Sequence, residues 1–481
     1  MRNISHITLK RRLFAAALLI AFLFCILIAR LFYIQVVDGS ALSGKAYGQW
    51  TRDLPMKANR GDITDRNGVV LASSYTTYTV YVRPNEMEDV AAVSSAISQV
   101  SGEEYARVYA RVSKKGVSEV RVVTGLSEAQ SFALRGYGYP GLYVVADSAR
   151  YYEYGNFATQ LLGFVNADGD GQSGIEMYYD SLLKGVDGAA YTETDLVGNK
   201  LDGTNTTYLA PVDGLTATLT IDFTLQSLAE KAVRDAVDKY SPLSASCLMM
   251  DADTGEILAM ASAPTYDLND LPRDDIAYLL QGAKNLPVTD VYEPGSTFKI
   301  LTAAIGIETG VIADSYYCPG YRMVDGQRIR CWRSIGHGSQ DFAHGIMNSC
   351  NCVFMDIALA AGTDTMYDYL GAFGLTAKTG IDVSGEGSSI MLARDSVKTV
   401  DLARIGFGQA IAVTPIGLAS AVCSVLNGGR LMQPYVLSTL TDADGKIVYS
   451  NTPTEKGKTV SESTSAAMKE YLYSVVEEGG S

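Results

Sequence analysis

Apolar residues run without a charge from Leu13 to Ala29, break at Arg30 and resume through Leu31-Phe32-Tyr33-Ile34. At about 1.5 Å of rise per residue, a helix over 13–37 spans a hydrocarbon layer of roughly 30 Å. Arg30 falls near the far end, where its stem can lie along apolar surface while the guanidinium reaches the interface. Arg2, Lys10, Arg11 and Arg12 precede the run. That bias predicts a cytoplasmic tail at 1–12 and everything beyond about Val37 outside the membrane. The competing reading is a cleaved signal peptide. The run is long for one, and aromatic residues rather than a small-x-small site follow it, so an uncleaved single-pass anchor is expected.

Beyond the anchor, the stretch to about Met56 is amphipathic. Asn67-Gly68 followed by Val69-Val70-Leu71 predicts a turn feeding a strand, and Thr76–Val82 alternates as a second strand. Residues 85–135 pattern as charged helices. Strand-like Gly141–Val145 and Tyr191–Thr194 follow, separated by Gly- and Asp-rich loops. The region 55–210 is mixed and loop-rich, without a catalytic constellation, and is expected to be a supporting or interaction module. A strand over Leu215–Asp222 leads to a helix over Leu225–Val237 that Asp222 can cap, its carboxylate accepting first-turn amides. Ser246–Met250 and Glu256–Ser262, around Asp251-Ala252-Asp253-Thr254-Gly255, predict a hairpin. From about 240 the pattern is α/β with long apolar helices. The expected fold is α/β (α+β) behind a single membrane helix.

The 481 residues suffice for two or three domains. Lysine and arginine total 39 against 53 acidic residues, a net charge of −14, which argues against nucleic acid as a partner. Of seven cysteines, Cys25 is in the apolar run, and Cys247 and Cys423 sit in apolar segments as expected buried thiols. Cys318, Cys331, Cys350 and Cys352 fall close together in sequence. Their spacing matches no metal motif and no histidine pairs with them, so neither metal nor cofactor is expected. Outside the cytoplasm a disulfide, Cys331–Cys350 or Cys318–Cys331, and free thiols are both open readings.

Only His6, His337 and His344 are present, none in a Ser/His/Asp arrangement. Instead, Glu293-Pro294-Gly295-Ser296-Thr297-Phe298-Lys299 brings the chain through a bend into a helix at Ser296, with Lys299 one turn behind. The helix continues as Ile300, Leu301, Ala303, Ala304, Ile305 and Ile307, apolar on nearly every face, and so belongs in a core. Burial disfavours the Lys299 ammonium, leaving a neutral amine that can take the Ser296 proton. A lone S-x-x-K is weak evidence, and Ser181-Leu182-Leu183-Lys184 is a second match. Its Gly/Asp-rich setting reads as a surface turn. Ser349-Cys350-Asn351 precedes an apolar helix over Val353–Ala361. Alone it reads as a helix cap. Beside Ser296 and Lys299 it reads as a proton relay, Ser349, and a substrate- and lysine-holding amide, Asn351.

S-x-x-K with a Ser/Asn motif resembles the penicillin-binding proteins, and the chain as a whole is similar to their class B members, the monofunctional transpeptidases of division, elongation or sporulation. Arg60–Gly68, Gly174-Ile175-Glu176 with Gly185 and Gly188, Leu219–Gln226, Asp253–Glu256, Gly406-Phe407-Gly408-Gln409 and Val413-Thr414-Pro415 resemble further family segments. The resemblance implies a pedestal or dimerisation domain at 55–210 and a transpeptidase domain at 240–481. It implies catalytic Ser296, Lys299, Ser349 and Asn351, peptidoglycan stem peptides ending in D-Ala-D-Ala as substrate, β-lactams as inhibitors, and a membrane glycosyltransferase as a partner. The four clustered cysteines lean, by the resemblance, toward a sporulation role. Cys350 lies between two expected site residues, so a disulfide to Cys331 would distort them; a small packing residue is the alternative.

The family's third motif, K-T-G, belongs on an edge strand well over 100 residues after the Ser/Asn motif. The K-T-G here, Lys378-Thr379-Gly380, comes only 29 residues after Ser349 and resembles a family loop ending in Gly-Ile-Asp. The chain's last residues resemble the helix end before the true strand, so the expectation is a sequence that stops short of the third motif. Rival readings are a non-catalytic membrane scaffold and a penicillin-sensing or β-lactamase-like domain.

Overall fold

The computed structural model describes residues 6–37, 51–114, 116–193 and 207–476. The chain divides into two compact units, residues 1–57 with 187–212 and residues 58–186 with 213–481. In the first, a helix spans His6–Phe32 and runs on as a π-helical turn, Tyr33–Val37. Its stretch Phe14–Val36 is, among the described residues, the one helix long and apolar enough to cross a membrane. The Arg30 guanidinium lies over the Tyr33 ring, 5.6 Å from its centroid, a pairing suited to an interface. The unit also holds a three-stranded antiparallel sheet with Gly188–Glu193 between Thr51–Met56 and Thr207–Leu209. Most of the amphipathic stretch expected after the anchor, and Thr194 at the end of an expected strand, lie outside the described residues.

The second unit is organised by a seven-stranded sheet. The Asn67-Gly68 turn is held by the Asp65 carboxylate, which accepts from the amides of Asn67 and Val69 at 2.8 Å each. It feeds one continuous strand, Val70–Val82, longer than the Thr76–Val82 expected. Leu142–Tyr152 pairs with it from Ala72 to Val82. Residues 85–135 carry helices Val90–Ser101, Tyr105–Val112 and Glu128–Gly136, and also a strand, Val120–Leu126, where helix was expected. The charged flanks suggested helix, yet Val122 and Val123 are buried in a cluster with Val93, Ile97, Val108 and Leu134 of the neighbouring helices, and that burial decides the local structure. Ile63–Thr64 joins Val70–Val82 to Thr216–Leu219, and the hairpin Leu437–Thr441/Ile447–Ser450 completes the edge. One sheet thus draws strands from residues nearly 400 apart in sequence.

Glu176 is fully buried between two arginines, one of them Arg150 of the strand Leu142–Tyr152. Arg60 Nε donates to one carboxylate oxygen at 2.5 Å and Arg150 Nε to the other at 2.7 Å. Arg60 also reaches the Glu176 carbonyl and the Asp180 carboxylate. The two segments singled out at Arg60–Gly68 and Gly174–Glu176 therefore meet as one ion-paired cluster.

The helix expected over Leu225–Val237 runs Phe223–Tyr240, and the Asp222 side chain accepts from the amides of Thr224 and Leu225. It packs through Ala229 and Val233 on Ala259 and Ala261 of the hairpin Ala245–Met250/Ile257–Ala263. The main apolar core surrounds the helix Lys299–Thr309, whose Leu301, Ala303, Ala304 and Ile305 are buried. Helices Asn351–Ala372, Thr399–Ile405, Pro415–Leu426 and Glu462–Tyr473 enclose it. The helix expected over Val353–Ala361 is longer, and non-helical Gly362, at φ 82°, breaks it. Glycine tolerates that left-handed geometry at little steric cost. The whole is mixed α/β, as the patterning predicts.

Candidate active site

Ser296 stands in a single 3₁₀ turn, Gly295–Phe298, that becomes the α-helix Lys299–Thr309. In a 3₁₀ turn positions i and i+3 eclipse, which sets the lysine side chain directly behind the serine. Lys299 Nζ lies 3.2 Å from Ser296 Oγ. The serine is exposed, whereas Lys299 is only 4% exposed. The hydroxyl faces the surface, and the amine behind it is sealed by Phe298, Phe354 and the surrounding core.

The turn is braced by a second segment. Gly295 N donates to Gly408 O at 2.9 Å, and a Cβ on Gly408 would stand 2.1 Å from the Gly295 carbonyl oxygen. Gly408 also sits at φ 79°. Close backbone approach and left-handed geometry both require glycine there. Gly408 resembles a family segment but carries no sequence signal of this role, because its support of the serine turn depends on a contact across 113 residues.

Ser349 and Asn351 arrive from the other side. The helix Phe342–Met347 ends, Ser349 adopts φ 47°, and Asn351 opens the next helix. A left-handed serine costs about 1–2 kcal/mol, so the turn persists only because its surroundings hold it. Lys299 Nζ lies 2.7 Å from the Ser349 carbonyl oxygen, 3.0 Å from Ser349 Oγ and 2.7 Å from Asn351 Oδ1. Asn351 Nδ2 donates to the Arg330 carbonyl at 3.2 Å. The helix-cap alternative fails: the N-cap residue is Cys350, and it makes no side-chain cap bond.

These four acceptors define what the amine can do. The Ser349 carbonyl and Asn351 Oδ1 can only accept, so together they occupy both N–H bonds of a neutral amine. Its lone pair is then left toward the two serine hydroxyls. Burial pushes the Lys299 pKa down to about 8, while the sulfurs of Cys331, Cys350 and Cys352 pull it back upward. The arrangement is therefore able to accept a proton from Ser296 near neutral pH and pass it to Ser349.

The other sequence candidates lie elsewhere. In Ser181–Lys184 the lysine pairs with Asp170, and the segment lies in a short helix, Asp180–Leu183, with Leu183 buried, rather than in the surface turn expected. Lys378-Thr379-Gly380 forms a loop around the Glu386 carboxylate, which accepts from Thr379 N, Thr379 Oγ1 and Gly380 N. Lys456 Nζ and Gln433 Nε2 donate to the carbonyls of Thr379 and Gly380. The seven cysteines are free thiols; Cys331 and Cys350, one of the pairs considered for a disulfide, have sulfurs 4.0 Å apart.

Comparison with known proteins matches most of the chain to two domains of one family. The family described as "Penicillin binding protein transpeptidase domain" matches residues 245–481, and "Penicillin-binding Protein dimerisation domain" matches 55–219. Stage V sporulation protein D of Bacillus subtilis is 36% identical over 99% of this chain and 74% of its own length. Peptidoglycan D,D-transpeptidase MrdA of Escherichia coli is 28% identical over 91% of this chain and 75% of its own. Penicillin Binding Protein 2X of Streptococcus thermophilus superposes with a TM-score of 0.72 at 27% identity, covering 88% of this chain and 66% of that one. A peptidoglycan synthetase of Bifidobacterium adolescentis gives 0.71 at 26% identity over 88% and 82%. With both domains matched in order, and a relative above one-third identity along 99% of this chain, the chain belongs to the class B penicillin-binding proteins.

Proposed function

We propose that this protein is a membrane-anchored serine D,D-transpeptidase that cross-links peptidoglycan stem peptides through an acyl-enzyme on Ser296. The observation that carries the reading is the buried Lys299 amine, 3.2 Å from Ser296 Oγ and held by two obligate acceptors, the Ser349 carbonyl and Asn351 Oδ1. In the reaction, Ser296 Oγ attacks the carbonyl carbon of the penultimate D-Ala while Lys299 takes its proton. Backbone amides, that of Ser296 among them, stabilise the oxyanion. The tetrahedral intermediate collapses, the C–N bond breaks, and Ser349 relays the proton to the departing D-Ala amine. An amine from a neighbouring strand then attacks the ester and gives up a proton to the Lys299–Ser349 pair. The new amide forms and the Ser296 hydroxyl is restored. Asn351 positions both lysine and substrate amide. A β-lactam resembles the D-Ala-D-Ala end and acylates the same oxygen.

In this reading residues 1–12 are a cytoplasmic tail, 13–37 the anchor, 55–210 the pedestal and 240–481 the catalytic domain, held outside the membrane. The pedestal is the surface on which a glycan-polymerising membrane partner would act. Fluorescent penicillin labelling of the full-length protein in membranes tests the assignment. Ser296→Ala is expected to abolish the labelled band at unchanged protein level; a band that persists means another nucleophile.

A further inference from the structure

Cys318 ends the strand Tyr316–Cys318, Cys331 follows the strand Gln327–Arg330, and Cys350 and Cys352 flank the first residue of the helix Asn351–Ala372. Each is at most 5% exposed, and their four sulfurs all lie within 4.8 Å of one another. Among the described residues this is the one group of three or more His, Cys, Asp or Glu side chains able to hold a metal ion. We propose that Cys318, Cys331, Cys350 and Cys352 form a structural zinc site that fastens the Ser349–Asn351 turn to the strands beside it.

Three features support a metal over simple packing. Zinc–thiolate bonds of about 2.3 Å in a tetrahedron put sulfurs about 3.8 Å apart, close to the 4.0 Å between Cys331 and Cys350. Four sulfur ligands in tetrahedral disposition select zinc among common divalent ions. The outer layer is also in place. Backbone amides of Arg333 and Asn351 are directed at the Cys331 sulfur and that of Val353 at Cys350. His337 Nδ1 stands 3.7 Å from Cys331 Sγ. Donors of this kind orient and stabilise thiolate ligands. Sequence spacing concealed the set because its members come from three segments and Cys350 and Cys352 are separated by one residue.

Binding balances as one Zn²⁺ displacing four thiol protons, with no change of oxidation state. The site lies one residue from both Ser349 and Asn351, and Cys331 adjoins Arg330, whose carbonyl receives Asn351 Nδ2. A bound ion would thus hold the left-handed turn at Ser349 in place from beneath. The site stands on the thiol geometry and not on the transpeptidase reading.

The test is metal analysis of the full-length protein, purified in detergent without reductant and dialysed in metal-scavenged buffer. One zinc per chain is expected, falling to background in Cys318→Ser and Cys352→Ser but retained in Cys247→Ser and Ser296→Ala. Cobalt reconstitution of the wild type should give the intense visible absorption of a tetrahedral tetrathiolate, a readout that does not depend on a variant folding. Stripping the zinc should lower the wild-type Tm. The proposal is overturned by a non-reducing intact mass that shows a disulfide among these cysteines. Free thiols with zinc at background, iron in its place, or a Tm unaffected by complete metal removal overturn it as well.

Discussion

In the proposed reaction the chemistry at Ser296 reduces to the state of one amine, that of Lys299. Lysine in water titrates near 10.4; burial brings Lys299 down to about 8. Only the neutral form accepts a proton, so the rate of penicillin acylation should rise about tenfold per pH unit below 8 and level off above it. A rate independent of pH between 6 and 9, measured by short labelling pulses, would remove Lys299 as the base. Lys299→Arg keeps the charge but cannot deprotonate, and should slow acylation by about 10²- to 10⁴-fold. The serine, the lysine and the S-x-N pair were all legible in the sequence. What was not legible was the count of acceptors around Nζ, since Ser349 O is a backbone group with no sequence signature.

At the scale of elements, the serine turn depends on its neighbour. Gly408→Ala would drive a Cβ into the Gly295 carbonyl at 2.1 Å, in a backbone region that L-residues avoid. We expect a loss of about 1–3 kcal/mol together with a fall in acylation rate, because the strain is discharged into the 3₁₀ turn carrying Ser296. A variant with wild-type Tm and labelling rate would show that the Gly295–Gly408 approach is not needed. Secondary structure followed the sequence where period and capping agreed, as in the helix at Phe223–Tyr240 behind Asp222. It departed at Val120–Leu126, where pairing with Tyr78–Val82 overrode a helical charge pattern.

Across the whole molecule, the buried Arg60–Glu176–Arg150 cluster joins three segments spread over more than 100 residues of sequence. Removing the charge of Glu176 leaves two guanidinium groups facing a neutral amide. Glu176→Gln should therefore destabilise by about 3–5 kcal/mol, read as a lower midpoint in thermal or denaturant unfolding. A midpoint within error of wild type would mean that the cluster contributes nothing to the fold. Within residues 245–481, Asp382 plays a comparable joining part. Its carboxylate accepts from Tyr179 OH and from the amides of Val436 and Leu437 at 2.7–2.8 Å. It thereby ties the loop that follows Lys378-Thr379-Gly380 to Tyr179, 203 positions away in sequence, and to the strand beginning at Leu437. The seven-stranded sheet has the same character, since its edge hairpin comes from residues 437–450.

By itself the amino-acid order determined the apolar N-terminal helix, the serine–lysine turn, the S-x-N pair and the mixed α/β class. Each depends on neighbours within a turn or two, where periodicity and residue chemistry act directly. Tertiary structure alone decided the depression of the Lys299 pKa by its enclosing core, the seating of Gly295 on Gly408, the ion pairs around Glu176 and the meeting of four thiols. Those follow from which surfaces exclude water together, and burial of that kind is a property of packed segments far apart along the chain.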